Sequence, residues 1–182
     1  ATVPAVLVLT WLFGIGTLVN LLWASLVALG CEAAILAIRK RPITFYLKDG
    51  SALVTAVLLA LALPPYAPWW LTLIAVGFAI IFGKQLYGGL GQNPFNPAML
   101  GYVVVLISFP LPMTTWPASH SVGMLAGIEH ICGLASLPDG WSQATALDSL
   151  KLNKSLTVDE LWAQNPAFGR FGGQGVEWVN LA

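Results

Sequence analysis

The stretch TLVNLLWASLVALGCEAAILAI, Thr17 to Ile38, decides the fold class, because it is long enough to cross a bilayer and carries a single charge, Glu32. A crossing helix needs roughly 20 apolar residues. Upstream, the apolar run begins at Pro4, and Pro4 to Ile38 as a whole is too long for one crossing and short for two. The break is expected near Phe13-Gly14-Ile15-Gly16. On that reading Ala1 to Leu12 is the tail of a first span whose start is cut away, and Thr17 to Ile38 is a complete second one. No charged segment precedes an apolar core and a cleavage site, so no signal peptide is expected.

Downstream, the triplet Arg39-Lys40-Arg41 ends the run, and a polar connector, Pro42 to Gly50, leads to a third apolar segment, Ser51 to Leu63. That segment stops at Pro64-Pro65 and is short for a crossing. It reads either as a helix extended by polar residues or as a half-span buried in protein. Trp69 and Trp70 fall where an interfacial aromatic belt would place them, Leu71 to Phe82 leads back, and Pro97 to Phe109 forms the next crossing.

The expected class is an all-α polytopic membrane protein with about five membrane segments, one connection being irregular. Composition agrees: 57% of residues are hydrophobic and 9% charged, with a mean hydropathy of +0.78. Eight basic residues balance eight acidic ones, and no basic face offers itself to nucleic acid. Cys31 and Cys132 form no CxxC motif, and neither a disulfide nor a metal pair is expected from them. His120 and His130 lack metal-site spacing, and no metal ligation is expected.

Residues 1–110 read as the helical membrane region, 111–175 as a Gly- and Pro-punctuated extramembrane loop, and 176–182 as the beginning of a further span. A short amphipathic helix is expected at Thr157 to Gln164, with Asp159 and Glu160 in its first turn. Arg39, Lys40, Arg41, Lys48 and Lys84 fall on one side, which the positive-inside rule makes cytoplasmic. The loop 111–175 then faces the periplasm or exterior. Glu32, an ionisable group within a span, is a candidate functional residue by default, although a pairing with the nearby basic triplet explains it as well. Asp49 is expected to cap the third segment or pair with Lys48.

Two segments carry candidate chemistry. In Lys84-Gln85-Leu86-Tyr87-Gly88-Gly89-Leu90-Gly91-Gln92-Asn93-Pro94-Phe95-Asn96-Pro97-Ala98, glycines and prolines impose an irregular backbone. Asn93 and Asn96 are expected to cap the helix that starts at Pro97. The segment is either a capped turn or a broken helix in which Gly88, Gly89, Gly91, Asn93, Pro94, Asn96 and Pro97 face an ion or cofactor. In the second segment, Asp139-Gly140-Trp141-Ser142-Gln143-Ala144-Thr145, nothing intrinsic goes beyond a surface turn, since Asp-Gly is a common turn pair and a threonine hydroxyl is a poor nucleophile.

Ser51-Ala52-Leu53-Val54-Thr55, Leu63-Pro64-Pro65, Ala67-Pro68-Trp69-Trp70 and the segment Lys84 to Ala98 together resemble RnfD, the D component of Rnf electron-transport complexes. They are similar, more distantly, to the B component of the sodium-pumping NADH:quinone oxidoreductase. The resemblance covers nearly the whole chain and is weakest from about Ala118 to Leu137. It implies that a flavin transferase joins FMN through its phosphate to Thr145, with Asp139, Gly140, Ser142 and Ala144 as the address. Trp141 would stack on the ring or anchor the loop at the membrane face. Riboflavin is implied as a further flavin.

The resemblance also implies a bacterial inner-membrane subunit with the Thr145 loop on the periplasmic side. Such a subunit relays electrons, coupled to Na+ or H+ movement, and acts only with other membrane and peripheral subunits. Ala146 stands where RnfD proteins often have proline. The chain would be the first of two inverted repeats, in a fold similar to urea and ammonium channels. The alternative from another class is a small-solute or ion channel without a redox cofactor.

Overall fold

The computed structural model describes residues 2–89, 91–117, 122–136, 140–142 and 150–153, with positions 155, 157, 159–160 and 163. Asp139, Ala144, Thr145, His120 and the segment 176–182 lie outside the described residues, so the expectations placed on them concern sequence alone.

The described chain is helical: α1 (Val3–Phe13), α2 (Gly16–Ile38), α3 (Ile43–Leu47), α4 (Ser51–Ala62), α5 (Trp69–Phe78), α6 (Pro97–Ser108), α7 (Pro110–Thr114) and α8 (Met124–Ile131). Among the described residues the only β pairing is an isolated antiparallel bridge between Pro117 and Ser142. The break between the first two helices falls as the glycines predict. Gly14 adopts φ 78° and ends α1, its N–H donating to the Thr10 carbonyl.

Two stretches, Gly16–Ile38 (23 residues) and Trp69–Tyr87 (19 residues), are long and apolar enough to cross a membrane. Three shorter apolar helices, Val3–Phe13, Ser51–Ala62 and Pro97–Ser108, pack with them. The second long stretch is not one regular α-helix. It leaves α geometry after Phe78, passes through a π-helical stretch, Ala79–Lys84, and closes in a 3₁₀ turn, Gln85–Tyr87. Helical structure therefore extends past the expected end at Phe82 and takes in Lys84, which the residue pattern places in a connector. Gly88, at φ 98°, terminates it.

Large apolar side chains cover the outside of the bundle as well as filling its core, and several polar groups are buried among them. Leu22, Leu26, Val54, Val103 and Ile107 are exposed, whereas Asn20, Glu32, Thr72 and Lys84 are buried. Along α2 the buried face is a stripe with a spacing of four, Gly16, Asn20, Ala24, Ala28, Glu32 and Leu36. Small residues on that stripe let α4 and α5 pack closely against it. The same device brings α6 onto α5, where Gly101 lies so close to the neighbouring backbone that a Cβ there would sit 2.4 Å from the Ala75 carbonyl oxygen.

Local chemistry explains the helix ends. Pro64 and Pro65 cannot continue α4, and Pro97 opens α6 with the Asn96 side chain accepting from the Ala98 N–H at 3.0 Å. Asn93 departs from the expected cap. Its Oδ1 accepts from the Gly91 N–H at 3.0 Å and its amide donates to the Phe95 carbonyl at 2.5 Å, so it shapes the turn before the cap. The region 111–175 also holds more helix than expected, since α7 and α8 lie in it; glycines at 123, 127 and 133 mask α8 in the sequence. At Thr157 the N–H and hydroxyl each donate to the Glu160 carboxylate at 2.9 Å, a capping arrangement that holds Glu160 below the ordinary carboxylate range.

Gly101→Ala is expected to force α5 and α6 apart and to lower stability by about 1–3 kcal/mol. Thermal unfolding of the full-length protein in detergent checks this, with Gly30→Ala, which meets nothing within 4 Å, as the neutral comparison.

Candidate functional site

Two polar sites occupy opposite ends of α2. The first is a buried charge cluster built where the π-helical stretch turns inward. Lys84 and Glu32 are 2% and 1% exposed, and the ammonium Nζ donates to Glu32 Oε1 at 2.5 Å. The same Nζ donates to Ser51 Oγ at 2.5 Å, and Gln85 Nε2 donates to Glu32 Oε1 at 2.9 Å. Ser51 passes the contact outward, its hydroxyl donating to Asp49 Oδ1 at 2.5 Å and its N–H to the same oxygen at 2.8 Å. Burial pushes the Asp49 carboxyl up, but the two Ser51 hydrogen bonds and the Lys84 charge outweigh it and hold the group below its usual range. Glu32 Oε2 is buried without a hydrogen-bond partner.

Local structure makes this cluster possible. A π-helical turn inserts an extra residue into the helix and rotates the residues after it. At its end Lys84 and Gln85 are both buried. Gly83 allows the start of α6 to approach, since a Cβ there would lie 2.9 Å from Pro97 Cα. Gly50, left-handed at φ 69°, lets the chain turn from Asp49 into α4.

The second site surrounds the corner Pro64 to Pro68. Asn20 donates to the Pro64 carbonyl at 3.0 Å and accepts from Thr72 Oγ1 at 2.7 Å, both bonds buried. Tyr66 donates to the Phe13 carbonyl at 2.6 Å, and its ring is gripped between Gly16 and Gly127, where added Cβ atoms would lie within 2.6 Å and 2.3 Å. Trp23 Nε1 donates to the Trp69 carbonyl at 2.9 Å. Trp141 packs on the cluster of Tyr66 and Ile131, with its ring 5.7 Å from that of His130. A cavity of about 280 Å³ opens here, lined by Pro64, Tyr66, Pro68, Leu111, Pro112, Thr115, His130 and Trp141.

Asn20 and Glu32 are twelve residues apart on one helix, so the two sites are separated by about 18 Å along its axis at 1.5 Å per residue. The basic triplet Arg39-Lys40-Arg41 follows the charge-cluster end of α2, and Trp141 lies at the other end.

The sequence-predicted residues divide between these sites and a third location. Glu32 pairs with Lys84 and not with the basic triplet, and Lys84, expected as a connector charge, is a buried partner. Asp49 bonds the first residue of α4, as a capping group would. Gly88, Gly91, Pro94 and Asn96 are exposed, Gly89 and Asn93 are half-buried and Pro97 is buried. Asn93, Pro94, Asn96 and Pro97 line a separate cavity of about 340 Å³ with Val54, Thr55 and Leu58. Gly140 and Ser142 are exposed, with Ser142 bridged to Pro117. Among the described residues, His, Cys, Asp and Glu form no group of three that could hold a metal ion.

Sequence reasoning missed Asn20, Ser51, Tyr66 and Thr72, and had Gln85 only as part of the irregular segment Lys84 to Ala98. The signal that could have found Asn20 was its spacing of four from Ala24, which puts it on one stripe with Glu32.

Lys84→Met leaves the Glu32 carboxylate buried and uncompensated, and is expected to cost about 3–5 kcal/mol. Replacing both partners, Glu32→Gln with Lys84→Met, is expected to recover most of that loss. A denaturant series on the detergent-solubilised protein measures the cycle, and simple additivity of the two single losses would contradict the pairing.

Comparison with known proteins extends over the whole chain. The sequence model of the NQR2, RnfD, RnfE family matches residues 1–182. A protein of Ectopseudomonas mendocina, named as the D component of an ion-translocating oxidoreductase complex, is 79% identical over 182 residues, covering 100% of this chain and 53% of its own length. Its namesake in Pseudomonas aeruginosa is 69% identical over 183 residues, with 100% and 53% covered. That of Citrobacter koseri is 44% identical over 200 residues, with 100% and 57% covered. The chain thus spans about half the length of the curated relatives it matches. A match from its first residue to its last places the chain in the NQR2, RnfD, RnfE family.

Proposed function

We propose that this chain is part of a bacterial inner-membrane subunit of an ion-translocating oxidoreductase, which relays electrons through FMN joined by its phosphate to Thr145. The observation that carries the reading is the family match across all 182 residues, with relatives named as the D component of an ion-translocating oxidoreductase complex. The motif Asp139 to Thr145 is intact in this sequence. Electron relay is coupled to Na+ or H+ movement, other subunits complete the circuit, and a flavin transferase attaches the cofactor. Riboflavin is a candidate second flavin. The Thr145 loop belongs on the periplasmic side.

The residues beside the motif fit a flat ring with a polar edge. The corner cavity is walled by the aromatic groups of Tyr66 and Trp141, with Thr115 and His130 as polar groups in the same lining. Bound there, the flavin supplies the electron-transfer chemistry, which belongs to the cofactor. The chain holds the ring in place and shields it from lipid and water. Asp139, Gly140, Ser142 and Ala144 form the recognition address for the transferase.

Glu32 and Lys84 are the residues best placed to serve ion movement. Ionisable groups buried in a membrane bundle are costly and mark ion or proton pathways. Their separation from Trp141 supports a coupling of redox and ion steps carried by the helix bundle, through α2 and the π-helical extension of α5.

Flavin fluorescence of the protein band on a denaturing gel tests the tether. The full-length protein co-expressed with the flavin transferase is expected to give a bright band, and Thr145→Ala a dark one. A dark wild-type band, or fluorescence that survives Thr145→Ala, sinks the attachment.

A further inference from the structure

Arg39, Lys40 and Arg41 close α2 in a turn that glycine ordinarily makes. Lys40 stands at φ 53°, and among the described residues no other non-glycine residue has a positive φ. A side chain is disfavoured in this left-handed conformation, and helices that end in it commonly take glycine there. The turn is nonetheless well bonded: the Lys40 N–H donates to the Ala37 carbonyl and the Arg41 N–H to the Leu36 carbonyl, each at 3.0 Å. It sends the chain back so that α3 makes contact with α2.

The surface this turn presents is cationic and apolar together. Arg39, Lys40, Arg41 and Lys48 are all exposed, and among the described residues none of them has a carboxylate partner. Glu32 is taken by Lys84, and Asp49 is bonded to Ser51. Beside the cations stand Ile38, 80% exposed, and Phe45, 72% exposed, and α3 buries none of its residues. The Arg41 guanidinium lies 5.8 Å from the centre of the Tyr46 ring, which meets the Phe45 ring edge-on at 5.5 Å. Since α2 is long enough to cross a bilayer and ends at Ile38, these groups fall where its end reaches the headgroup layer.

Water alone would satisfy the cations and leave Ile38 and Phe45 wetted. An anionic phospholipid meets both demands in one molecule, its phosphate facing the cations and its acyl chains facing the apolar side chains. We propose that the turn from Ile38 to Lys48 is a docking surface for anionic phospholipid in the leaflet at this end of α2. Lys40 and Arg41 face the headgroup phosphate, Tyr46 steadies the guanidinium, and Ile38 and Phe45 lie against the acyl chains. A lysine at a glycine-favouring position gives up backbone ease for a charge at the lipid surface. Binding there also holds the connector that carries Asp49, whose carboxylate fixes Ser51 beside Lys84.

Native mass spectrometry of the full-length protein tests this, in micelles doped with equal amounts of phosphatidylglycerol and phosphatidylcholine of the same chains. Phosphatidylglycerol is expected to bind severalfold more tightly, and raised salt to narrow the difference. Lys40→Gly is the decisive variant, because glycine suits the backbone at φ 53° and only the side chain is lost. It should unfold at or above the wild-type temperature and yet bind phosphatidylglycerol severalfold more weakly. With Arg41→Gln added, the loss should reach about tenfold.

Equal binding of the two lipids by the wild type would overturn the docking, as would a preference for phosphatidylglycerol that survives both substitutions. Loss of a partner polypeptide from the purified complex on Lys40→Gly, with the lipid preference intact, would assign the surface to an acidic protein face instead and overturn it too.

Discussion

A lysine ammonium and a glutamate carboxylate buried together in an apolar bundle are the constraint on which the rest of this structure depends. Each ion alone would cost several kcal/mol to desolvate, so neither can sit where it does without the other. Glu32 is fixed by its place on the buried stripe of α2, and Lys84 must be brought to it. The departure from α geometry after Phe78 does that, and Ser51, held at the start of α4 by Asp49, takes a second hydrogen bond of the ammonium. Three elements distant in sequence are thereby joined at one point. Glu32 Oε2 is buried without a hydrogen-bond partner.

The other end of the bundle is held by neutral groups. Asn20 ties the Pro64 carbonyl to Thr72, Tyr66 reaches the end of α1, and Trp23 reaches the Trp69 carbonyl. Carbonyls at the Pro64 corner, at the end of α1 and at the start of α5 need donors beyond the helices' own, and these side chains supply them. The result is an aromatic corner with exposed edges suited to a membrane face and a concave wall suited to a flat ligand. A charge cluster at one end of α2 and an aromatic cleft at the other give the chain two chemically different faces joined by the same rigid helix.

Much of this architecture was legible in the residues. Glycines at 14 and 16 marked the break between α1 and α2, Pro64-Pro65 marked the end of α4, and Asn96-Pro97 marked the cap of α6. Each is a local backbone effect, which is why it survives without tertiary information. The pairing of Glu32 was not legible, because Arg39 to Arg41 lie nearer in sequence and the π-helical stretch that redirects Lys84 has no compositional signature. The wall formed by Tyr66 was likewise hidden, since it depends on Gly16 and Gly127 meeting the same ring from elements more than a hundred residues apart. The proposed attachment motif was legible only by resemblance. Its proposed chemistry calls for a transferase, since nothing in the reactivity of a threonine announces it.

The central proposal is that the Ser142 loop and the Arg39-Lys40-Arg41 end of α2 lie on opposite faces of the membrane. Side-specific thiol labelling tests it most directly. In a full-length protein whose native cysteines, Cys31 and Cys132 among them, are all replaced, single cysteines at Ser142 and Lys40 are exposed in turn to a membrane-impermeant maleimide on intact spheroplasts. The expected result is labelling of the Ser142→Cys protein from outside, and of the Lys40→Cys protein only after the membrane is opened. Labelling of both from the same side would contradict the claim.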